Sequence, residues 1–166
     1  MGRPKRHTRV RSASDPEALA ARLPDDLRSL EGLYTPGDYQ TLRRHVVDWL
    51  QTSAAGFPDT VIEVRVNAAD GDDLAALADA HASGVAFGIR LPKVERPSDL
   101  DAVLAALPGV AVSALVETAA GVVALDEIAA ADGVTSIGLG EADLASDLGA
   151  TDTSVLDYAR MRVLYA

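Results

Sequence analysis

Glu117 and Asp143 each stand just past the end of an apolar run, the first in VAVSALVE from Val110, the second in VTSIGLGEAD from Val134. A carboxylate placed there is where a hard cation would sit. An apolar run that stops at an acid reads as a strand emptying into the mouth of a parallel β/α barrel, because ligands gather at the C-terminal ends of such strands. Other strand-end polar groups accompany the pair: Arg65 and Asn67, Arg90 and Lys93, and Glu141 beside Asp143. A capping or solvated role for any one of them is as plausible as a chemical one. Four successive strands aiming polar groups at one rim favour chemistry.

The elements that must position these groups repeat. Strand-like runs begin at Val61 (VIEVRVN), Val85 (VAFGIRLPK), Val110 (VAVSALVET) and Val134 (VTSIGLG), at steps of 24, 25 and 24 residues. Helix-like stretches lie between them: DDLAALADAHA after Gly71, SDLDAVLAAL after Pro97 and VVALDEIAAA after Gly121. Strands alternating with helices of this length predict parallel βαβ units with right-handed crossovers, with helices burying both sheet faces. The near-continuous apolar character of all but the first strand agrees with a parallel sheet.

The chain of 166 residues is long enough for one domain with a real core. Eight β/α units of this size need roughly 200 residues and the usual barrel has about 250. Four units are clear, preceded by a weaker pattern and followed by one helix-like run, TSVLDYARMRVLYA. The expected fold is therefore α/β, of the (β/α)8 TIM-barrel type but incomplete: the last strands are lacking and the N-terminal part is degenerate. An open parallel sheet leaves an unpaired edge, so either the sequence is a fragment or a partner completes it, and homo-oligomerisation is in view.

Charge is unevenly spread. The chain carries −10, yet its first twelve residues, MGRPKRHTRVRS, hold five of the fifteen basic residues and no acid, which leaves the rest at −15. Residues 1–14 read as a basic disordered tail and 15–166 as the partial barrel. An acidic body repels polyanions, so nucleic acid is not expected as a partner. Cysteine is absent, which excludes disulfides and thiolate metal sites. No apolar run reaches membrane-spanning length and no secretory signal is evident, so a cytoplasmic protein without a membrane partner is expected. His7, His45 and His81 share no spacing that would make a zinc site or a catalytic triad. GLGEAD at Gly138 lacks the third glycine of a dinucleotide fingerprint.

Taken in order, these residues resemble a known family. GIRLPKVERPSDLDAV is similar to the P-K-x-E strand-end motif of the HpcH/HpaI aldolase and citrate lyase beta-subunit family. ALVETAAGVVALDEIAAA followed by GLGEADLASDLG resembles its glutamate and aspartate motifs, and IEVRVNA its R-x-N strand. The resemblance covers about residues 60–166.

The resemblance implies a Mg²⁺-dependent carbon–carbon lyase acting on a hydroxyacyl-coenzyme A such as citryl-, malyl- or citramalyl-CoA, or on a small oxo- or hydroxy-acid. It implies Glu117 and Asp143 as Mg²⁺ ligands, since that ion takes oxygen donors and few carboxylates. Arg65 would bind a substrate carboxylate or thioester carbonyl and act in catalysis through its guanidinium fork. Lys93 would bind substrate electrostatically; a Schiff-base role, open to a desolvated lysine, is made unnecessary by the metal motifs. SLEGLYTPGDYQTLRRHVVDWL is similar to the family's D-L-E-D motif and following helix. There Glu31 keeps the glutamate, as a catalytic candidate acting through a metal-bound water, while Ser29 and Gly32 replace acids. LYTPGD can alternatively be laid on the family's first strand. Those departures support a second reading, an impaired remnant that binds an acyl-CoA or a partner.

Overall fold

The computed structural model describes residues 36–67, 69 and 71–166. The basic tail and Glu31 therefore lie outside the described residues. Contacts group the chain into two units: Met1–His45, of which only the start of one helix is described, and Val46–Ala166, which carries everything below.

Helix α1, Pro36–Ser53, opens on a proline, whose fixed φ suits a first helical turn. Pro36–Asp38 thus belong to a helix, and the alternative of a first strand over LYTPGD does not hold for them. Then come β1 (Glu63–Arg65), α2 (Asp72–Ala82), β2 (Gly88–Leu91), α3 (Asp101–Ala106), β3 (Ala111–Val116), the short helices α4 (Ala119–Val123) and α5 (Leu125–Ala129), β4 (Val134–Leu139), α6 (Glu141–Asp147) and α7 (Asp157–Tyr165). Single 3₁₀ turns precede α3 and α7, at Pro97–Leu100 and Thr153–Leu156.

Local chemistry explains the boundaries. Asp72 and Asp73 occupy the first turn of α2, where carboxylates meet the positive helix end, and Asp73 Oδ2 accepts from both the backbone N–H and Nδ2 of Asn67, at 2.9 and 3.2 Å. Asp99 Oδ2 accepts from the N–H groups of Glu95 and Arg96, at 2.8 and 3.1 Å, and so starts the turn before α3. Gly84, Gly109 and Gly133 take φ of 81°, 79° and 83°. They sit one repeat apart, each giving the left-handed turn that frees the chain from a helix to enter the next strand.

The four strands are parallel, in the order β1-β2-β3-β4. Sequential order with crossovers of one hand puts the connecting helices α2 to α5 on the same face. The expectation of helices on both faces is corrected accordingly. The covered face is apolar and dry: Val66, Ile89, Leu91, Val112, Ala114 and Val116 are at most 1% exposed, and pack with Leu74, Leu77, Leu100, Val103, Leu125 and Ile128 of the helical layer. Burying each Leu, Ile or Val side chain there is worth about 1.5–3 kcal/mol. The opposite face carries Glu63, Arg65, Arg90, Ser113 and Ser136, and the register puts Arg65, Arg90, Ser113 and Ser136 on one rung. A one-sided helical layer over a parallel sheet of sequential strand order is barrel architecture, and its polar face corresponds to the barrel interior. Among the described residues β1 and β4 each keep one unpaired edge.

Candidate functional site

The strand ends converge on Glu117, one residue beyond β3. Its side chain is 2% exposed, one of two buried polar residues among those described. An ionised carboxylate tolerates such burial only with partners. One is built from the P-K-x-E loop: the backbone N–H of Lys93 donates to Glu117 Oε1 at 3.1 Å. To aim that N–H, Lys93 adopts φ 55°, the one non-glycine residue with positive φ among those described. The loop is fastened beside it, since Val94 N–H donates to Leu115 O at 3.2 Å and Val94 is fully buried. Lys93 thus acts on Glu117 through its backbone, while its side chain is exposed.

The other wall is Gly140, whose N–H donates to Val116 O at 2.9 Å. A Cβ at this position would lie 2.5 Å from Glu117 Oε2 and 2.6 Å from Glu117 Cβ. Only a glycine lets the backbone come so close to the carboxylate. Gly140 immediately precedes α6, and Asp143 stands in the first turn of that helix, exposed.

The predicted strand-end groups separate into two sets. Asn67 is absorbed in holding Asp73, and Arg90 pairs with Glu63 at 2.6 Å on the polar face. Glu141 is gripped by Arg160, at 2.8 Å from Nε and 2.7 Å from Nη2, and this guanidinium holds the Glu141 carboxyl below its ordinary range. Arg160 also bonds Asp157 at 2.7 Å, tying α7 to the start of α6. His81 is structural as well, with Nε2 3.0 Å from Pro108 O.

The second set is Arg65, the Lys93 ammonium, Glu117 Oε2 and Asp143. Among the described residues these groups have no hydrogen-bond or ion-pair partner. Two carboxylates with free oxygens are hard donors of the kind Mg²⁺ takes, an ion usually held by one or two carboxylates with water and substrate filling the other positions. Among the described residues no cluster of three or more His, Cys, Asp or Glu residues is gathered for a metal. Sequence reasoning missed the roles of Gly140 and of the Lys93 backbone. The glycine directly before the acidic turn in GLGEAD was the available signal.

A parallel sheet with one helical layer, and acids and bases gathered at its strand ends, is the architecture of a β/α barrel. Residues 35–166 match the HpcH/HpaI aldolase/citrate lyase family, and the chain belongs to it. A (3S)-malyl-CoA thioesterase from Cereibacter sphaeroides is 42% identical over 86 residues, which are 52% of this chain and 30% of that protein. The citrate lyase beta subunit of M. tuberculosis, solved with oxaloacetate and magnesium, superposes with a TM-score of 0.57 at 28% identity, covering 81% of this chain and 60% of that one. RipC from Yersinia pestis shares the fold, with a TM-score of 0.64 at 23% identity over 82% of this chain and 61% of its own. The chain thus spans under a third of the curated relative and about three-fifths of these structures. Among the described residues no helix is long and apolar enough to cross a membrane.

Proposed function

We propose that this chain carries the metal and substrate-anchoring half of a Mg²⁺-dependent carbon–carbon lyase that cleaves a β-hydroxyacyl thioester of coenzyme A. The observation that carries the reading is Glu117: a carboxylate buried to 2% exposure, with one oxygen held by Lys93 N–H and the other, beside Gly140, without a partner among the described residues. Burying a carboxylate at a strand end with half its acceptor capacity unused has a purpose if a cation completes it.

In this reading Glu117 and Asp143 hold the ion, which supplies fixed positive charge for an oxyanion that develops during cleavage. Arg65, the guanidinium at the end of β1 that has no partner among the described residues, binds and orients a substrate carboxylate through two hydrogen bonds. The exposed Lys93 ammonium adds positive charge at the rim, where a thioester carbonyl or coenzyme phosphate arrives. Glu31 is the remaining carboxylate candidate, for proton transfer through water. Cleavage of malyl-CoA between its hydroxyl-bearing and thioester-bearing carbons requires loss of the hydroxyl proton and protonation of the new methyl carbon, giving glyoxylate and acetyl-CoA.

A second reading is hydrolysis of the thioester, favoured by the relative that is 42% identical over 86 residues and named a malyl-CoA thioesterase. Incubating the 166-residue chain with malyl-CoA and millimolar Mg²⁺ and separating the products distinguishes the two. Glyoxylate with acetyl-CoA, abolished by EDTA and by Glu117→Gln, supports the lyase; malate with free coenzyme A supports hydrolysis. Cleavage unaltered by Glu117→Gln contradicts the proposed site under either reading.

A further inference from the structure

Asp147 ends α6, one helical turn after Asp143, and its Oδ2 accepts from the backbone N–H of Ala119 at 2.8 Å. Ala119 is the first residue of α4, two positions beyond Glu117. Its N–H belongs to the set that a helix N-terminus leaves without an internal partner. A carboxylate from another element therefore fills a vacancy while joining two segments that sequence separates by 28 positions.

The bond also fixes how α6 lies. Residues four apart share a helix face, so the face of α6 that carries Asp147 toward Ala119 carries Asp143 as well. The start of the helix is pinned independently, by Gly140 N–H on Val116 O at 2.9 Å and by the absence of a Cβ against Glu117. With its first turn against Val116–Glu117 and its last against Ala119, α6 runs along the segment that bears Glu117. Asp143 lies between the two anchors. Thr118, between Glu117 and Ala119, is itself held by its side chain, which accepts from Gly121 N–H at 3.2 Å.

We infer that Asp147 is a positioning residue for the cation site: through Ala119 N–H it holds the loop after β3 against α6 and so sets the separation of the Glu117 and Asp143 carboxylates. The inference rests on the proposed cation reading. Partners that orient ligands in this way typically change metal affinity by about 10- to 100-fold when removed.

The test measures Mn²⁺ affinity by electron paramagnetic resonance on the full chain, alongside thermal midpoints. Asp147→Ala is expected to weaken Mn²⁺ binding about tenfold, with a midpoint only about 2–4 °C lower, as befits one exposed hydrogen bond. Asp147→Asn, which keeps an acceptor at the same reach, stays within about threefold of the parent. Ala119→Pro removes the donor and alters no charge. Proline suits a first helical position, and Thr118 before it is already extended, with φ −133° and ψ 158°. It is expected to reproduce the tenfold loss, which separates positioning from the mere removal of a negative charge. A lower melting midpoint with Mn²⁺ affinity unchanged in both Asp147→Ala and Ala119→Pro overturns the inference and leaves the cation site standing. No Mn²⁺ binding by the parent chain overturns the cation reading and this inference with it.

Discussion

Replacing Gly140 by alanine tests the close approach on which the site depends. The added Cβ would lie 2.6 Å from Glu117 Cβ and 2.5 Å from Oε2. Carbon atoms pack at about 3.5–4.0 Å, so either the α6 start or Glu117 must retreat by roughly 1 Å. The carboxylate end of Glu117 is flexible, but its Cβ is not. Gly140 itself has an ordinary backbone, φ −88°, so the effect comes from space and not from backbone strain. Overpacking of this kind costs about 1–3 kcal/mol, and weakening the 3.1 Å bond from Lys93 N–H to a buried carboxylate adds part of the roughly 1.5–3 kcal/mol of a charged hydrogen bond. A loss of about 2–4 kcal/mol is expected, read as a lower urea midpoint at unchanged slope, together with weakened Mn²⁺ binding. Gly138→Ala is the control. Its Cβ would meet Leu115 Cδ1, the end of a flexible side chain, at 3.1 Å, and less than about 1 kcal/mol should be lost. A Gly140→Ala protein within about 0.5 kcal/mol of the parent, binding Mn²⁺ as well, would refute the packing argument.

Other substitutions probe separate links. Lys93→Gly relieves a left-handed residue but loosens the unfolded chain, so stability should stay within about 1 kcal/mol, whereas Lys93→Val should cost about 1–2 kcal/mol in urea unfolding. A Lys93→Gly protein that keeps its stability and loses turnover would assign the ammonium to substrate. Because Arg160 depresses the Glu141 carboxyl below its ordinary range, the pair's contribution is present above the unfolded pKa and is lost as pH falls through the folded one. The stability gap between parent and Arg160→Ala at pH 7 should accordingly shrink below about pH 4.3; a gap that widens there would contradict the pairing. Leu125→Ala, at a fully buried position under the sheet, should cost about 2–5 kcal/mol by denaturant unfolding.

The backbone plan was legible because its signals are local. The run DDLAALADAHA became α2 at Asp72–Ala82 with no shift of boundary, its two leading acids marking the start and its apolar residues the buried face. The repeat of 24 to 25 residues reappears in the glycines that end each helix, Gly84, Gly109 and Gly133. VVALDEIAAA was less legible. It reads as one helix but divides at Ala124 (ψ 9°) into α4 and α5. Val122, Leu125 and Ile128 are buried at spacings of three, and a regular helix of 3.6 residues per turn would rotate that series off the sheet.

The candidate site, which stands as a proposal, was half legible. Acids at strand ends mark Glu117 and Asp143, since residue type alone carries that signal. Which strand-end groups are already spent cannot be read from type, because Arg90 and Glu141 are neutralised by Glu63 and Arg160, 27 and 19 positions away. Long-range pairing also decides the roles of Lys93 N–H and Asp147. The placing of helices on one face depends on strand order, which spacing does not encode. Glu31 lies outside the described residues, so its proposed role stands on the resemblance of its motif.

The most direct test of the central claim is a crystal structure of the 166-residue chain soaked in Mn²⁺, with the ion located by its anomalous scattering. One peak within coordination distance of both the Glu117 and the Asp143 carboxylates, absent from a Glu117→Gln crystal, is the predicted result. Well-ordered carboxylates with no peak between them at millimolar Mn²⁺, or a peak held by other residues, would contradict the account.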